Sequence, residues 1–442
     1  MNSSPTIFAL ATAPGRGGIS VFRVSGPSAR TAVEKLCRPN DMPKVREASL
    51  RKIHHPASGE TIDSALLIWF ENPHSFTGED VLEIHAHGGR AVANALTEAL
   101  GALPGFRLAE PGEFTRRAFE NGKLDLTEAE AVADLVSAET EAQRRQALRQ
   151  MEGELGKIYE GWRARLIKSL AWLEAAIDFA DDDLPKDTAE KQSKLLRELA
   201  DEIARHLDDR GRGERLREGF HVAILGPPNA GKSSLLNALA RRDAAIVSNV
   251  AGTTRDVIEV HLDLGGYPVT LADTAGLRES MDAIESEGVR RALRRAEQAD
   301  LKLLLIDGEK SLQLDEATQK LADGNAIILL GKADLLKNRG ACSEAILFSA
   351  KTGEGMEELT ERLLHEIDMR FGGSGSPPLT RARHRAALEE CLTHLRRAPE
   401  AKEAALAAED VRLAMRALGR ITGRVDVEDL LDIIFRDFCI GK

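Results

Sequence analysis

Cysteine and long apolar segments are both scarce in this chain, and each absence excludes a class of protein. The 442 residues include only four cysteines with no paired spacing, so the sequence predicts neither a disulfide framework nor a zinc site. The cysteines are Cys37, Cys342, Cys391 and Cys439. The longest apolar runs, Leu303–Ile306 and Ala326–Leu330, have the length of strands and are far too short to cross a bilayer. The N-terminal apolar patch Ile7–Ala11 follows no basic stretch and is too short for a signal peptide.

Positive charge is also limited. Acidic residues number 71 and basic residues 60, which gives a formal net charge of −11. This balance argues against a protein whose whole surface binds nucleic acid or anionic lipid, although a local basic face is still compatible with it. With 43% hydrophobic and 30% charged residues, the chain is predicted to be neither disordered nor membrane-embedded. We therefore expect a cytoplasmic protein with no membrane segment and about three domains, at roughly 150 residues per domain.

Three kinds of sequence pattern follow one another along the chain, and they predict its domains. Residues 1–120 carry short strand-like runs separated by Gly and Pro, which predicts an α+β domain. From 121 to 217 apolar residues recur at three- and four-residue steps, and the stripe Met151–Ile177 predicts one long helix. Residues 218–372 alternate strand-like and helical patterns, which predicts a doubly wound, mostly parallel sheet covered on both faces. Residues 373–442 begin with a linker rich in Gly, Ser and Pro and then return to helical spacing.

Two helical segments thus flank one α/β unit. The simplest architecture inserts that unit into a single discontinuous helical domain, and two separate helical bundles are the alternative. Within the unit, Val257–Leu264 and Val269–Ala272 join across Gly265-Gly266, which predicts one antiparallel hairpin. The predicted fold class is multidomain, with α/β parts and an all-α part.

The most informative motif is a glycine-rich loop that runs from Gly226 to Ser233 with the sequence GPPNAGKS. It follows the strand-like run His221–Leu225 and opens a helical stretch at Lys232, which is the full P-loop pattern in the required context. Glycines let the backbone N–H groups surround phosphates, and the helix N-terminus adds partial positive charge. We expect Lys232 to reach the β- and γ-phosphates and the hydroxyl of Ser233 to bind Mg²⁺.

Two further motifs fit the phosphate side of a GTP site. The segment Gly252–Asp256 lies where a mobile loop would offer a threonine to Mg²⁺. The segment Asp273–Gly276 follows a strand, which places Asp273 near the metal and the N–H of Gly276 near the γ-phosphate.

Two later motifs fit the base. Lys332-Ala-Asp334 follows a strand, and Asp334 can accept hydrogen bonds from N1–H and the exocyclic amine of guanine. Ser349-Ala350-Lys351 follows another strand, where the N–H of Ala350 can contact guanine O6. Taken in order, these motifs resemble the translation-factor class of small GTPases and predict GTP as the nucleotide.

Two departures from the GTPase pattern stand out. The class has Asn before the Lys-x-Asp motif, and here Gly331 lacks the amide that would hold the P-loop and touch the base. Guanine preference is expected to survive through Asp334, and the effect on affinity is left open. Many GTPases place Gln after Asp-x-x-Gly to orient the attacking water, whereas Leu277 cannot do so. Candidates for that role are Arg255, Arg278 and Glu285, although the residues alone favour a solvated loop charge for any single one of them.

Taken together, the motifs resemble the tRNA-modification GTPase family MnmE (TrmE) over essentially the whole chain. The segments that carry the likeness are Pro14–Gly18, Phe22–Gly26, Ser75–Asp80, Pro111–Phe114, Asn121–Asp125, Asn229–Ser233, Gly252–Asp256, Asp273–Arg278 and Cys439–Lys442. The motifs and the resemblance together imply these GTP contacts: Asn229, Ala230, Gly231, Lys232, Ser233, Ser234, Ser248, Val250, Thr253, Thr254, Asp273, Thr274, Ala275, Gly276, Lys332, Asp334, Ser349, Ala350 and Lys351.

The resemblance implies how hydrolysis is activated. The family uses K⁺ and dimerisation of the GTPase units, and a cation beside the phosphates would act as an arginine finger does. The implied K⁺ ligands are Asn229, Ser248, Val250 and Thr253, and the implied Mg²⁺ ligands are Ser233 and Thr254. Glu285 matches the family's water-orienting glutamate. The implied catalytic residues are Lys232, Arg255, Glu285 and Cys439.

The resemblance also implies that residues 1–120 bind 5-formyl-tetrahydrofolate or a related one-carbon donor and form a homodimer. The matching folate positions are Arg23, Glu83, Lys123 and Lys442. Cations suit the folate glutamate tail, and a carboxylate suits the amide and amine donors of the pterin. On the strand Val81–His87, Glu83 alternates onto one face with His85 and His87, so a metal site is an alternative to a folate pocket or core. Cys439 is either chemical or a small structural residue beside this pocket.

The function implied is addition of an aminomethyl-type group to carbon 5 of a wobble uridine in tRNA. The implied partners are an MnmG-type flavoprotein in a heterotetramer, and tRNA. Arginine clusters at 144–149, 290–295 and 381–385 are candidates for tRNA contact, although such clusters are more often solvated helix faces. The competing hypothesis is a regulatory switch GTPase whose flanking domains dock partners and carry no one-carbon chemistry.

Overall fold

A computed structural model of the chain describes residues 4–178, 188–209, 211–242, 245–246, 259–273, 299–314, 316–320, 322–336, 345–371, 377–425, 427–436 and 438–442. Contacts divide the chain into two compact units. Unit 1 contains Met1–Val136, Ala147–Asp201 and Ala387–Lys442, and unit 2 contains Ser137–Gln146 and Glu202–Ala386. The predicted division into 1–120, 121–217, 218–372 and 373–442 stays a prediction.

Unit 1 contains a sheet of seven described strands in the order β3-β4-β5-β6-β2-β1-β7. The strands are β1 (Thr6–Leu10), β2 (Ile19–Ser25), β3 (Cys37–Arg38), β4 (Ser49–His54), β5 (Thr61–Phe70), β6 (Val81–His87) and β7 (Phe106–Leu108). All neighbours are antiparallel except β1 and β7, which pair in parallel.

One face of this sheet forms the core of the N-terminal part. Phe22 of β2, Leu67 of β5 and Ile84 of β6 are fully buried there, together with residues of the helices α1 (Ala29–Leu36) and α2 (Arg90–Gly101). Because successive side chains of a strand point to opposite faces, Arg23 and Glu83 lie on the other face of the same strands. The register pairs these two residues directly.

The other helices of the chain include two long ones that pack against each other. The helices are α3 (Glu113–Glu120), α4 (Leu126–Ser137), α5 (Glu141–Met151), α6 (Glu154–Asp178), α7 (Thr188–Leu207), α8 (Arg212–Glu218), α9 (Lys232–Arg242), α10 (Glu316–Gln319), α11 (Met356–Phe371), α12 (Ala382–Arg397), α13 (Ala404–Thr422) and α14 (Glu428–Arg436). In unit 1, α6 packs along α13, whose buried face is rich in alanine and so allows close approach. Gly423, at φ 82°, ends α13 in the left-handed conformation that glycine adopts without steric cost.

The predicted stripe Met151–Ile177 is only partly correct. The helix α6 begins at Glu154, so Met151 belongs to the preceding helix α5, and Ile177 is exposed near the end of α6. The buried face of α6 is formed by Leu155, Gly156, Tyr159, Trp162, Leu166 and Ser169. Periodicity identified the helix, but a glycine and a serine on the packed face carry no hydrophobic signal.

Unit 2 contains a second sheet of seven described strands in the order β14-β13-β12-β8-β11-β10-β9. The strands are β8 (Phe220–Leu225), β9 (Ala245–Ile246), β10 (Glu259–Leu264), β11 (Tyr267–Asp273), β12 (Leu301–Asp307), β13 (Ala326–Gly331) and β14 (Ile346–Leu347). The five strands from β14 to β11 are parallel, and β10 pairs antiparallel with both β11 and β9. All seven residues of β12 are buried, as expected of a parallel strand covered on both faces.

The predicted hairpin is confirmed from Glu259 onward, whereas Val257 and Ile258 lie outside the described residues. β10 and β11 meet across Gly265 and Gly266, which have φ values of 61° and 90°. Two consecutive positive φ angles are typical of the tight turns whose twist matches that of the flanking strands. Within the described residues, no helix combines the length and the apolar character that crossing a bilayer requires.

In unit 2, Arg385 connects the segment before the sheet to the segment after it. Its guanidinium donates to Asp209 Oδ1 at 2.6 Å, to Glu214 Oε1 and Oε2 at 3.1 Å each, and to the carbonyl oxygen of Leu207 at 2.9 Å. The N–H of Leu379 donates to the second oxygen of Asp209 at 3.2 Å. The buried carboxylate of Asp209 therefore depends on groups that lie about 170 residues away in the sequence.

We expect Arg385→Ala to lower the free energy of unfolding by about 2–3 kcal/mol, because it leaves two carboxylates and a helix-terminal carbonyl without their donor. Urea unfolding followed by circular dichroism measures the change. The matched control is Arg145→Ala, which removes an exposed arginine that shares Glu141 with Arg144. The control should change stability far less, and equal effects of the two substitutions would contradict a structural role for Arg385.

Candidate functional site

The glycine-rich loop lies at the carboxyl end of β8, beside β12. A Cβ at Gly226 would overlap the carbonyl oxygen of Leu305, so only glycine lets the loop leave the sheet so close to its neighbour. Asn229 and Gly231 have φ values of 63° and 102°, and these two positive angles curl the backbone before α9 begins at Lys232. The loop therefore has the curled backbone at a helix N-terminus that binds phosphate groups in P-loop proteins.

Lys232 is held over this loop. Its ammonium group donates to the carbonyl oxygens of Gly226 at 2.9 Å and Pro227 at 3.0 Å, and the residue is only 7% exposed. Ser233 and Ser234 follow in the first turn of α9, and both are exposed. The loop thus presents an ammonium group and a hydroxyl group together, the two side-chain functions that a phosphate with Mg²⁺ requires.

The base-binding motifs come together at the same edge of the sheet. Asp334 lies in a 3₁₀ turn, Ala333–Leu335, directly after β13, and Ser349 follows β14. The hydroxyl of Ser349 donates to Asp334 Oδ1 at 2.7 Å, and this hydrogen bond lowers the pKa of the carboxyl group. The N–H of Ala333 donates to the carbonyl oxygen of Phe348 at 3.0 Å, which ties the two segments together. An ionised, oriented carboxylate at Asp334 can accept from the donor edge of guanine.

Lys332 has partners that sequence reasoning missed. Its ammonium group lies 2.9 Å from Asp307 Oδ1 and 3.0 Å from Glu309 Oε2. Asp307 is the last residue of β12, and the register pairs it with Gly331 of β13. A polar residue at the carboxyl end of a buried parallel strand was the available signal, because ligand sites of such sheets lie at that edge.

Several predicted site residues lie outside the described residues. They are Ser248, Val250, Thr253, Thr254, Arg255, Thr274, Ala275, Gly276, Leu277, Arg278 and Glu285. Asp273 is the last residue of β11, and Ala350 and Lys351 follow Ser349. Their roles at the nucleotide stay predictions.

A second group of predicted residues meets in unit 1. Arg23 donates through Nε and Nη2 to Glu83 Oε1 at 3.2 and 3.0 Å, and His85 Nε2 lies 3.2 Å from the other oxygen of Glu83. The guanidinium of Arg23 lies 5.7 Å from the ring centres of both Phe76 and Phe114. Sequence reasoning missed these two aromatic rings, each of which lies within cation–π distance of Arg23.

The C-terminus reaches this group. Ile440 pairs with Pro111, and the carbonyl oxygen of Gly441 accepts from Arg23 Nη1 at 3.5 Å. Gly441 has φ 99°, and a Cβ there would come within 2.6 Å of the carbonyl oxygen of Leu10, so glycine allows the tail to pack closely. The structure therefore brings the tail that ends in Lys442 to Arg23 and Glu83.

Lys123 lies on a loop beside the Ser75–Asp80 segment. Its ammonium group donates to the carbonyl oxygen of Pro73 at 3.0 Å, and its side chain borders Gly78. Asn121, on the same loop, donates to the carbonyl oxygen of Thr77 at 2.8 Å. The loop of Lys123 is thus joined to the segment that carries Phe76.

The metal alternative for the strand Val81–His87 has little geometric basis. His87 Nδ1 lies 2.8 Å from Asp63 Oδ1, whereas His85 approaches Glu83, so the three side chains do not converge. In the part of the chain that the structure describes, no three His, Cys, Asp or Glu side chains are grouped to hold a metal ion.

The described cysteines differ in exposure. Burial raises the pKa of Cys37 and of Cys391 to about 12, so both thiols stay protonated at neutral pH. Cys439 is exposed and free, next to the tail residues that reach Arg23. Cys342 lies outside the described residues. Cys439 is therefore the described cysteine with the access that a chemical role needs.

Two family models match the chain. The one described as the MnmE helical domain matches residues 126–439, and the one described as the GTP-binding protein TrmE N-terminus matches residues 6–123. Together with the two sheets and the helices, these matches confirm the predicted fold class of α/β and helical parts.

The chain is also similar to relatives that it matches over nearly its full length. The chain is 56% identical over 443 residues to a tRNA modification GTPase MnmE of Paramagnetospirillum magneticum, in a match that covers 99% of this chain and 100% of the relative. It is 57% identical to the MnmE of Parvibaculum lavamentivorans, with the same coverage. It is 49% identical over 461 residues to the human protein named 5-taurinomethyluridine-[tRNA] synthase subunit GTPB3, mitochondrial, covering 100% of this chain and 94% of that protein.

The resemblance noted in the sequence motifs is thereby confirmed along the chain. With a family model across most of its length and relatives above 50% identity over 99% of it, the chain belongs to the MnmE family of tRNA modification GTPases.

Proposed function

We propose that this chain is a potassium-activated GTP hydrolase that works with an MnmG-type flavoprotein on certain tRNAs. Together they install an aminomethyl-type group, such as carboxymethylaminomethyl, at carbon 5 of the wobble uridine. The observation that carries the proposal is a complete P-loop, with its lysine over the loop, in a chain that matches tRNA modification GTPases from end to end. GTP hydrolysis drives conformational cycling, and the carbon transfer belongs to the flanking parts of the chain.

The nucleotide chemistry follows from the charges at the loop. Lys232 places a positive charge where negative charge develops on the transferred phosphate, and Asp334 with Ser349 selects guanine. Mg²⁺ prefers oxygen ligands, and the hydroxyl of Ser233 in the first turn of α9 suits it, with Thr254 as the second protein ligand. Glu285 orients the attacking water, and Arg255 supports the phosphates.

The cation proposal rests on Asn229. Its backbone is held at φ 63° on the exposed side of the loop, so its amide oxygen is available to a cation beside the phosphates. Ser248, the carbonyl of Val250 and Thr253 complete the proposed K⁺ ligands. The bound cation would supply the positive charge that an arginine finger supplies in other GTPases.

The one-carbon proposal rests on the group around Arg23. A planar ligand suits a group of side chains that combines two aromatic rings, a guanidinium and a carboxylate, and a reduced folate with a one-carbon group has a planar, donor-rich pterin. Lys123 and Lys442 are the cations proposed for its glutamate tail. Cys439, exposed on the same tail segment, is the candidate for a chemical role.

The homodimer proposal is supported by the open face of the N-terminal sheet. Leu50 and Leu66 are register partners on β4 and β5, and they are 64% and 43% exposed. Ile19 of β2 is 63% exposed on the same sheet. Apolar side chains exposed on one sheet mark a surface that a second copy would cover.

The partner proposal agrees with the charge of the chain. In the cluster near position 144, Arg144 and Arg145 both pair with Glu141, at 2.8 and 2.7 Å, so one carboxylate offsets part of the positive charge of this helix face. With a net charge of −11, the chain gains from a partner that supplies most of the grip on tRNA.

Wobble uridines test the function directly. In cells that lack this gene, mass spectrometry of tRNA should show wobble uridines without the aminomethyl-type group, and the wild-type gene should restore it. A Lys232→Ala gene should fail to restore it, because the phosphate charge is no longer stabilised. If the wobble uridines of the deletion strain still carry the aminomethyl-type group, the result would favour the switch GTPase instead.

Potassium dependence tests the cation site. At equal ionic strength, GTP turnover should rise at least tenfold when Na⁺ is replaced by K⁺. Asn229→Gly should abolish this stimulation and keep GTP binding, since glycine adopts the positive φ without strain. Asn237→Ala, on the exposed side of α9, is the matched control and should keep the stimulation. Turnover that is indifferent to the cation would rule out the site at Asn229.

Calorimetry with 5-formyl-tetrahydrofolate tests the one-carbon pocket. The wild-type chain should bind it, and Glu83→Gln should weaken binding about tenfold, since Arg23 loses its charged partner. Glu47→Gln, at an exposed position paired with Lys44, is the control and should bind as the wild type does. If the folded wild-type protein shows no binding, the one-carbon chemistry does not belong to this chain.

A further inference from the structure

The departure at Gly331 raises the question of what holds the base-binding segment against the P-loop. A Cβ at Gly331 would lie 3.1 Å from the carbonyl oxygen of Ala230 and 3.2 Å from that of Ile306. The backbone of β13 therefore packs directly on the loop and on β12. No side chain at position 331 is available to fasten the segment, so the fastening must come from a neighbour.

Asp307 is that neighbour. It is the register partner of Gly331, its side chain is only 3% exposed, and both of its carboxylate oxygens lie within 3.1 Å of the ammonium group of Lys332. Its own position is fixed, because its carbonyl oxygen accepts from the N–H groups of Lys310 and Ser311 at 2.9 and 3.0 Å. A buried carboxylate on a rigid strand end thus holds the residue that follows Gly331.

Lys332 needs such an anchor, since it has φ 58°, an angle that non-glycine residues rarely adopt. The hydrogen bond to Asp307, and then that to Glu309, raises the pKa of Lys332 above its usual value. Glu309 is 58% exposed, so water screens its contribution more than that of Asp307.

The anchor is directly connected to the residue that reads the base. The carbonyl oxygen of Lys332 accepts from the N–H of Leu335 at 2.9 Å, and this bond closes the turn that carries Asp334. A Lys332 released from Asp307 would relax from its strained angle, and only the Ala333–Phe348 and Ser349–Asp334 hydrogen bonds would then hold the turn against that movement. The carboxylate of Asp334 would then no longer meet N1–H and the exocyclic amine of guanine together.

We propose that Asp307 is a positioning residue of the nucleotide site, which acts through Lys332 to hold Asp334 in register with guanine. It takes over the fastening role that the side chain at position 331 cannot perform in this chain. Its effect is on guanine selectivity, and it touches no phosphate.

The test compares two nucleotides that differ only at the base. Inosine diphosphate lacks the exocyclic amine of GDP, so the ratio of their dissociation constants reports the contact at Asp334. Asp307→Asn keeps the shape of the side chain and removes its charge. We expect the dissociation constant for GDP to rise about tenfold and the preference for GDP over inosine diphosphate to fall several-fold.

The matched control lies on the same strand. Lys302, at the start of β12, pairs with Asp323 at 2.7 Å, far from the carboxyl edge of the sheet. Asp323→Asn makes the same chemical change in an ion pair of the same strand, at a carboxylate that is 51% exposed, and should leave both dissociation constants within twofold of the wild type. If Asp307→Asn also leaves them unchanged, or weakens both nucleotides equally, the positioning role is wrong.

A second variant keeps the proposal testable if Asp307→Asn folds poorly. Lys332→Gln breaks the same ion pair from its more exposed end and should reduce the preference for GDP to a similar degree. The double variant should lose no more preference than Lys332→Gln alone, because Asp307 is proposed to act through Lys332. Lys332→Gln also removes the pair with Glu309, and Asp307→Asn also removes the pair with Lys310, so the comparison is made with Lys332→Gln. Additive losses would mean that Lys332 acts on the base independently of Asp307, which would overturn the proposal.

Discussion

The nucleotide site depends on the parallel pairing of β8, β12 and β13. Parallel strands end at one edge of a sheet, so this pairing brings the P-loop, Asp307 and the Lys332–Asp334 turn together although they are far apart in the sequence. The pairing in turn depends on close backbone packing, because Gly226 leaves β8 against the carbonyl of Leu305. Burial of every residue of β12 holds this arrangement in place.

One cation is held in a fixed position at the P-loop and another at the Arg23–Glu83 pair. Lys232 is almost buried and bonded to loop carbonyls, and Arg23 is held by Glu83 between two aromatic rings. In each case neighbouring groups fix the orientation of the cation, and a side chain that is already ordered loses little conformational entropy in any further contact. Asp307 is held in a similar way. Its carboxylate and the ammonium group of Lys332 keep each other in place at the sheet edge.

Much of the fold and of the candidate site could be predicted from local patterns. The P-loop, the order of the base-binding motifs and the hairpin at Gly265-Gly266 depend on residues close in the sequence, where turn geometry and strand periodicity are decisive. The stripe from Met151 to Ile177 was predicted less well, because the packed face of α6 includes Gly156 and Ser169 and the helix begins only at Glu154. The partners of Lys332 were missed, since Asp307 and Glu309 lie more than twenty residues away in the sequence and strand pairing brings them close.

By itself, the sequence determined the class of chemistry, because a phosphate-binding loop is a short motif with local geometry. It also predicted the aspartate that would read guanine. Its four cysteines have no paired spacing, so it also predicted neither a disulfide framework nor a zinc site. Only the tertiary structure decided that Asp307 meets Lys332 and that the C-terminal Gly441 meets Arg23. These contacts are set by strand register and by the packing of distant segments, and no local pattern of residues encodes either one.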